Sequence, residues 1–269
     1  MTMTDAYRSL SARQEGGVLH LTLNRPEVRN AMSLAMVDEL LAALTAAEGG
    51  GTTRVIVLRG AGGHFCAGAD LKDMAAARTH ASEDNDPLAH TNTRFGWLCA
   101  EFARTPLAVV AVVEGTVMGG GFGLACAADV TLAHASASFR LPETSLGLVP
   151  AQIAPYLVER LGFAEAKRLA VTGGKLDART ALTLRLVHAM AEDEAALTAA
   201  LANVLNDILA CAPGAVAATK RLIAKARLAA PESLIDEAAA AFSLAAQGAE
   251  GIEGTTAFLQ KRKPSWAPR

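Results

Sequence analysis

Residues 107–113, LAVVAVV, are apolar without interruption, and soon afterwards the chain reaches Gly119-Gly120-Gly121. A strand that is apolar on both faces must be covered on both, which is the condition of a parallel sheet in an α/β protein. The run VIVL at 55–58 has the same character. The glycines constrain the turn at the end of each strand. A turn without Cβ atoms lets bare N–H groups approach a ligand, and the small-residue segment after Gly121 reads as a helix whose N-terminus favours negative charge.

The neighbouring pattern extends this reading. VLHLTL at 18–23 alternates as a half-buried strand and ends in the turn Asn24-Arg25-Pro26. Ser33 is placed to cap a helix carrying Leu34, Val37, Leu41 and Leu44 on one face, stopped by the glycines at 49–51. Strands alternating with helices predict βαβ units. Residues 75–93 are polar and carry Pro87, so a mobile loop or frayed helix is expected. From residue 152 onward almost everything reads helical: 153–161, 164–171, 178–184, 195–211, 213–228 and 234–246. The expected organisation is a β/α core over 1–200 that carries the site. A helical region over 201–269 would pack against other subunits.

Composition removes several classes. A chain of 269 residues that is 51% hydrophobic with net charge −2 is folded and has no basic field to attract nucleic acid. The first residues, MTMTDAYRSLSARQEGG, hold no apolar signal core, and Glu114 interrupts the longest apolar run, so neither export nor membrane insertion is expected. Cys66, Cys99, Cys126 and Cys211 form no C-x-x-C pair, which favours reduced thiols and a cytoplasmic location. The six histidines show no H-x-x-x-H spacing, and no metal site is expected.

The chemistry concentrates in two places. GAGGHFCAGAD at 60–70 follows the VIVL strand, and the triple glycine follows the LAVVAVV strand; α/β sheets place ligands at such carboxyl ends. Neither turn matches the dinucleotide or P-loop fingerprints, so nicotinamide and ATP readings fall away. Glu143 lies in SFRLPETSLGLVP, between an extended stretch and another glycine turn. Backbone donors for a developing anion together with one ionisable base point to enolate-forming chemistry. Burial of Glu143 among Leu141, Leu146 and Leu148 would raise its pKa towards neutrality, as suits a group that takes and returns a proton. His64 reads as a cap or surface residue, Cys66 and Cys126 as small buried side chains, and Asp70 as a residue that fixes its turn.

NRPEVRNAMS (24–33), FCAGADLKDM (65–74), VMGGGFGLACAADV (117–130), LPETSLGLVP (141–150) and AFLQKRKPSW (257–266) together resemble the crotonase family, the enoyl-CoA hydratase/isomerase superfamily. The resemblance runs in order from about residue 14 to the C-terminus. It implies an α/β spiral of ββα units, a helical C-terminal region, and trimers or dimers of trimers. It places the oxygen of an acyl-CoA thioester between the N–H groups of Ala69 and Gly120, with Gly119 and Gly121 shaping the turn. Ala67, Gly68, Asp70 and Leu71 would hold the adenine end of coenzyme A, and Arg29 its phosphates. Phe258 and Lys261 correspond to positions that reach a neighbouring subunit's coenzyme A. Coenzyme A would enter as part of the substrate, with no further cofactor.

One departure changes the expected chemistry. Hydratases of this family usually carry two glutamates twenty residues apart, whereas here Glu143 has Gly123 at that distance. Gly123 either serves packing or clears room for a branched acyl chain. Gln152 stands where other members often have glycine and is a candidate to bond a water or a substrate group. Arg94 and Arg140 are candidate partners for a distal substrate carboxylate. FGLAC joined to LPETSLGLVPAQIAP is similar to the isohexenylglutaconyl-CoA hydratases of acyclic terpene catabolism. The leading expectation is therefore an enoyl-CoA hydratase. A 3-enoyl-CoA isomerase using a single glutamate is the first alternative, and a non-catalytic acyl-CoA-binding paralogue the second.

Overall fold

A computed structural model describes residues 7–82 and 85–268. The apolar runs become its central strands. β1 (Leu10–Glu15), β2 (Val18–Leu23), β3 (Val55–Gly60), β4 (Ala108–Val113), β6 (Val130–His134) and β9 (Ala189–Ala191) form one sheet in the order β1-β2-β3-β4-β6-β9. Every pairing from β2 onward is parallel, and β4 is buried along its whole length. β1 adds antiparallel to β2, with Leu10 and Ala12 facing inward.

A second sheet contains β5 (Thr116–Met118), β7 (Ser138–Arg140) and β8 (Lys175–Asp177). A lone parallel bridge from Cys66 to Val117 laces the segment 66–69 onto its edge, and a second, from Ala69 to Met32, ties the segment to the chain before the helix that starts at Leu34. The first six helices are α1 (Leu34–Gly49), α2 (Leu71–Thr79), α3 (Pro87–Arg104), α4 (Gly120–Ala127), α5 (Ala154–Thr172) and α6 (Ala178–Thr183). β4–β5–α4 and β6–β7–α5 are successive strand–strand–helix units, each sending its first strand to the large sheet and its second to the small one. This is the ββα spiral implied by the resemblance.

The main core lies between the sheets and the helices over them, with Leu21, Leu58, Phe65, Phe122 and Phe139 fully enclosed. Phe122 and Phe139 meet with ring centres 5.4 Å apart, joining α4 to β7. Each such side chain contributes about 1.5–3 kcal/mol by leaving water. A smaller core covers the other face of the large sheet, where Val55, Val57, Val110 and Val112 meet Leu197 and Leu201. Those leucines belong to α7 (Glu194–Ala210), which is succeeded by α8 (Pro213–Ala226), α9 (Ile235–Gln247) and α10 (Ala249–Leu259). Residue 200, expected as a boundary, lies inside α7. Among the described residues no single helix is long and apolar enough to cross a membrane.

Three local expectations need correction. Residues 75–93 are mostly helix: α2 reaches Thr79, and Pro87 opens α3, where Asp86 accepts a capping bond from Ala89 N at 2.9 Å. A proline lacks an N–H that the first turn of a helix could not use anyway, so Pro87 starts a helix where a break was expected. Residues 83 and 84 lie outside the described residues. The segment after residue 152 also holds strands, β8 and β9, each three residues long and too short to show alternation. In α1 Ser33 caps as expected, accepting from Met36 N, but Leu40 lies on the fully buried stripe and Leu41 only at its margin.

Candidate active site

The start of α4 and the turn that follows β7 border a cavity of about 450 Å³, whose walls include Ala69, Gly120, Glu143 and Gln152. Gly119 makes the approach possible. Its φ of 48° favours glycine, and a Cβ there would lie 2.7 Å from Glu143 Oε1. Gly121 is equally confined, since a Cβ would stand 2.5 Å from that of Cys66. The turn therefore admits neither side chain.

Two N–H groups border this space. Met32 N donates to Gly68 O at 2.7 Å and Asp70 N to Met32 O at 3.0 Å, so the intervening Ala69 N–H is turned away from Met32. Gly120 opens α4, and a first-turn N–H has no acceptor within its own helix. Neither N–H meets a protein acceptor among the described residues.

Glu143 begins a short turn, residues 143–146, after Pro142. Its carbonyl accepts from Leu148 N at 2.8 Å, and Thr144 Oγ1 donates to Ala170 O at 2.7 Å, pinning the turn to α5. Oε2 is buried and has no hydrogen-bond partner among the described residues. Burial raises the carboxyl pKa, and the residue's own N–H offsets only part of the effect. Leu141 is buried as expected and Leu148 lines the same cavity, but Leu146 is exposed, and the glycine turn lies against the Glu143 carboxylate.

The 67–71 segment is fixed from beneath. Asp70 caps α2, accepting from Lys72 N at 3.0 Å, and pairs with Arg25 at 2.9 Å. Burial alone would raise its pKa, but the Arg25 and Lys72 bonds outweigh it and hold the carboxyl below its ordinary value. Asp70 is thus an ionised anchor. Arg25 also donates to Ala31 O, and buried Asn30 donates to Ala61 O and His64 O. Sequence reasoning misses Arg25 and Asn30 as site-shaping residues, although NRP and the polar pair RN mark a turn. His64 Nδ1 accepts from Thr116 N at 3.0 Å, a structural role. Arg29 takes φ 51°; its carbonyl accepts from Ala67 N while its side chain is exposed, as is Leu71.

Gly123 resolves plainly. A Cβ there would lie 2.1 Å from Ile153 Cγ2, so buried Ile153 fills the place from which a second carboxylate would project. No room is cleared for a branched chain at this point. Gln152, the preceding residue, donates through Nε2 to Asn92 Oδ1 at 2.9 Å. Gly96 permits this, because a Cβ on it would meet Gln152 Oε1 at 2.5 Å. Sequence reasoning misses Asn92 and Gly96 as well: Asn92 falls in the stretch expected to be a mobile loop or frayed helix, and Gly96 just beyond it has no local signal.

Other candidates lie apart. Arg94 forms a two-point pair with Asp38, and neither Arg94 nor Arg140 lines the cavity; Arg140 contributes its carbonyl, which accepts from Gly119 N. Phe258 and Lys261 are exposed and outside the cavity walls of this chain. Burial pushes Cys66 and Cys126 up to about 12, so both are protonated thiols. Among the described residues no cluster of His, Cys, Asp or Glu could hold a metal ion.

The family model for enoyl-CoA hydratase/isomerase matches residues 13–269. The chain belongs to the enoyl-CoA hydratase/isomerase family. Its crotonase fold superposes on Pseudomonas aeruginosa AtuE with a TM-score of 0.93 at 51% identity, covering 97% of this chain and 100% of that one. The mouse mitochondrial enoyl-CoA hydratase domain-containing protein 2 is 36% identical over 93% of this chain and 84% of its own length. The Escherichia coli 1,2-epoxyphenylacetyl-CoA isomerase is 34% identical over 94% and 95% respectively. Crotonase relatives thus include both hydratase-named and isomerase-named proteins.

Proposed function

We propose that this crotonase-family protein is an enoyl-CoA hydratase working with one carboxylate. The observation that carries the reading is the shared cavity of Glu143, Ala69 and Gly120, with Glu143 buried on one oxygen and both N–H groups unengaged. The two donors polarise the thioester carbonyl and stabilise the enolate; one such donor is worth about 3 kcal/mol of barrier. Water then adds at the β-carbon while the double-bond electrons move into the enolate. Glu143 takes the proton that the water loses and returns it to the α-carbon, so a single base closes the cycle. Similarity of FGLAC and LPETSLGLVPAQIAP to isohexenylglutaconyl-CoA hydratases supports a branched glutaconyl thioester as substrate. Exposed Phe242, Leu244, Phe258 and Leu259 on α9 and α10 support assembly as a trimer or a dimer of trimers.

The packing of Ile153 on Gly123 favours one further reading, a 3-enoyl-CoA isomerase, because proton shuttling from α- to γ-carbon needs no second carboxylate. Both readings are tested by incubating the purified protein with crotonyl-CoA, a trans-3-enoyl-CoA and a methyl-branched glutaconyl-CoA in heavy-oxygen water. Labelled product, strongest from the branched diacid, is the expected result. An unlabelled isomer formed from the 3-enoyl thioester alone would replace the hydratase reading.

A further inference from the structure

A hydratase with one carboxylate must hold its water by some other means. We infer that the Asn92–Gln152 carboxamide pair is the water-binding site of this enzyme, an inference that rests on the hydratase reading above. Four observations carry it. The first is location: Asn92 and Gln152 line the same cavity as Glu143 and the two N–H donors. Contacts narrow the placement. Phe95 lies over Gly120, where a Cβ would touch its ring at 3.1 Å, and the next residue, Gly96, lies against the Gln152 carboxamide. Ile153, adjacent to Gln152 in the chain, touches Gly123 one turn into α4. Both partners are thereby tied to the helix that begins with the Gly120 donor.

The second observation is hydrogen-bond capacity. The Gln152–Asn92 bond uses one N–H and one carbonyl lone pair. A second Gln152 N–H, both Asn92 N–H groups and Gln152 Oε1 meet no other protein partner among the described residues. A bound water needs both donors and acceptors, and this pair offers both. The third is setting. Leu34, Val37, Phe95, Leu148 and Ile153 make part of the wall apolar. Asp73, Arg78, Asp86 and Thr91 make part of it polar, and among the described lining residues the pair supplies the only carboxamides. The fourth is substitution logic. The place of a second glutamate is filled by Ile153, and the side chain next to that filler supplies the polar group. One amide N–H donates to one lone pair of the water and Gln152 Oε1 accepts one of its protons, which leaves the other lone pair for the β-carbon and the other proton for Glu143.

The test separates water addition from enolate formation. The former needs the pair; the latter needs only Glu143 and the two backbone donors. Purified wild type, Gln152→Leu, Asn92→Leu and Gly96→Ala are compared in two assays. One is incorporation of heavy oxygen into an enoyl-CoA. The other is exchange of the α-proton of a saturated acyl-CoA in deuterium oxide, monitored by NMR. Gly96→Ala leaves both amides chemically intact but displaces Gln152. All three variants should lose about 10–100-fold in hydration, the factor for one or two lost hydrogen bonds, with α-exchange preserved. Circular dichroism establishes that each is folded. Equal loss in both assays would show that the pair only shapes the cavity, and undiminished hydration would remove it from the reaction; either overturns the inference. If wild type exchanges the α-proton yet incorporates no label from any enoyl thioester, the hydratase reading itself fails and takes this inference with it.

Discussion

Ile153 occupies the volume into which a side chain at Gly123 would project, its Cγ2 lying 2.1 Å from where a Cβ would stand. The two positions are therefore coupled. Gly123→Glu alone should overpack this corner, cost about 1–3 kcal/mol and depress activity by displacing Gln152. Shortening the neighbour in the same molecule, as Gly123→Glu with Ile153→Ala, should recover most of the lost stability. Scanning calorimetry reads both, and a single variant as stable as wild type would refute the coupling.

Glu143→Gln keeps the shape of the side chain and removes the base. Turnover should fall by about 10²–10⁴, as for loss of a general acid/base. Because burial raises the pKa of Glu143, the wild-type pH profile of kcat/KM should have an acidic limb centred above the ordinary carboxylate value. That limb should vanish in the variant. Undiminished turnover would remove Glu143 from the mechanism.

The same substitution should act on stability with the opposite sign. A carboxyl whose folded pKa lies above its unfolded one binds its proton more tightly when folded. Its contribution is complete below the unfolded pKa and is lost as pH rises through the folded one. Glu143→Gln should thus melt above wild type at pH 8, with the gap closing as the pH falls towards 4. Thermal denaturation at several pH values measures it; a gap of constant size would contradict the assignment.

Asp70 and Arg25 form a pair whose carboxylate side is almost wholly enclosed. Arg25→Ala leaves that charge without its partner and should destabilise the fold by about 1–3 kcal/mol. It should also loosen the 67–71 segment and raise KM for acyl-CoA more than it lowers kcat. Steady-state kinetics beside a melting curve separate the two effects.

Assembly gives the last test. Phe258 is 83% exposed and its neighbour Leu259 80%, on the last helix. Light scattering should show at least a trimer, and Phe258→Asp should shift it towards smaller species with weaker coenzyme A binding. A fully active monomer would exclude a partner's contribution to the site.

Legibility in the sequence tracks the length of each physical signal. β3 and β4 are readable because a strand covered on both faces has to be apolar at nearly every position. The glycine turn is readable because local geometry demands glycine at 119 and 121. β8 and β9 escape notice because three residues cannot display a period. The start of α3 is hidden when Pro87 is weighed as a breaker and the Asp86 cap before it is not weighed at all. The fit of Ile153 to Gly123, and of Gln152 to Gly96 and Asn92, joins segments 30 to 60 positions apart, and no local pattern records such contacts.

The bridge between Met32 and Ala69 has a consequence for how this scaffold can diverge. On the function proposed above, the group directed at the substrate there is a peptide N–H, supplied by any residue but proline at position 69, and Gly120 would contribute in the same way. Mutation can therefore redraw the walls, at positions such as 92, 96, 152 and 153, and leave both N–H groups in place so long as the glycines at 119 and 121 are kept. The chain separates what is common to a set of reactions from what distinguishes them. The first is written in backbone, where drift has little purchase, and the second in side chains, where it acts freely.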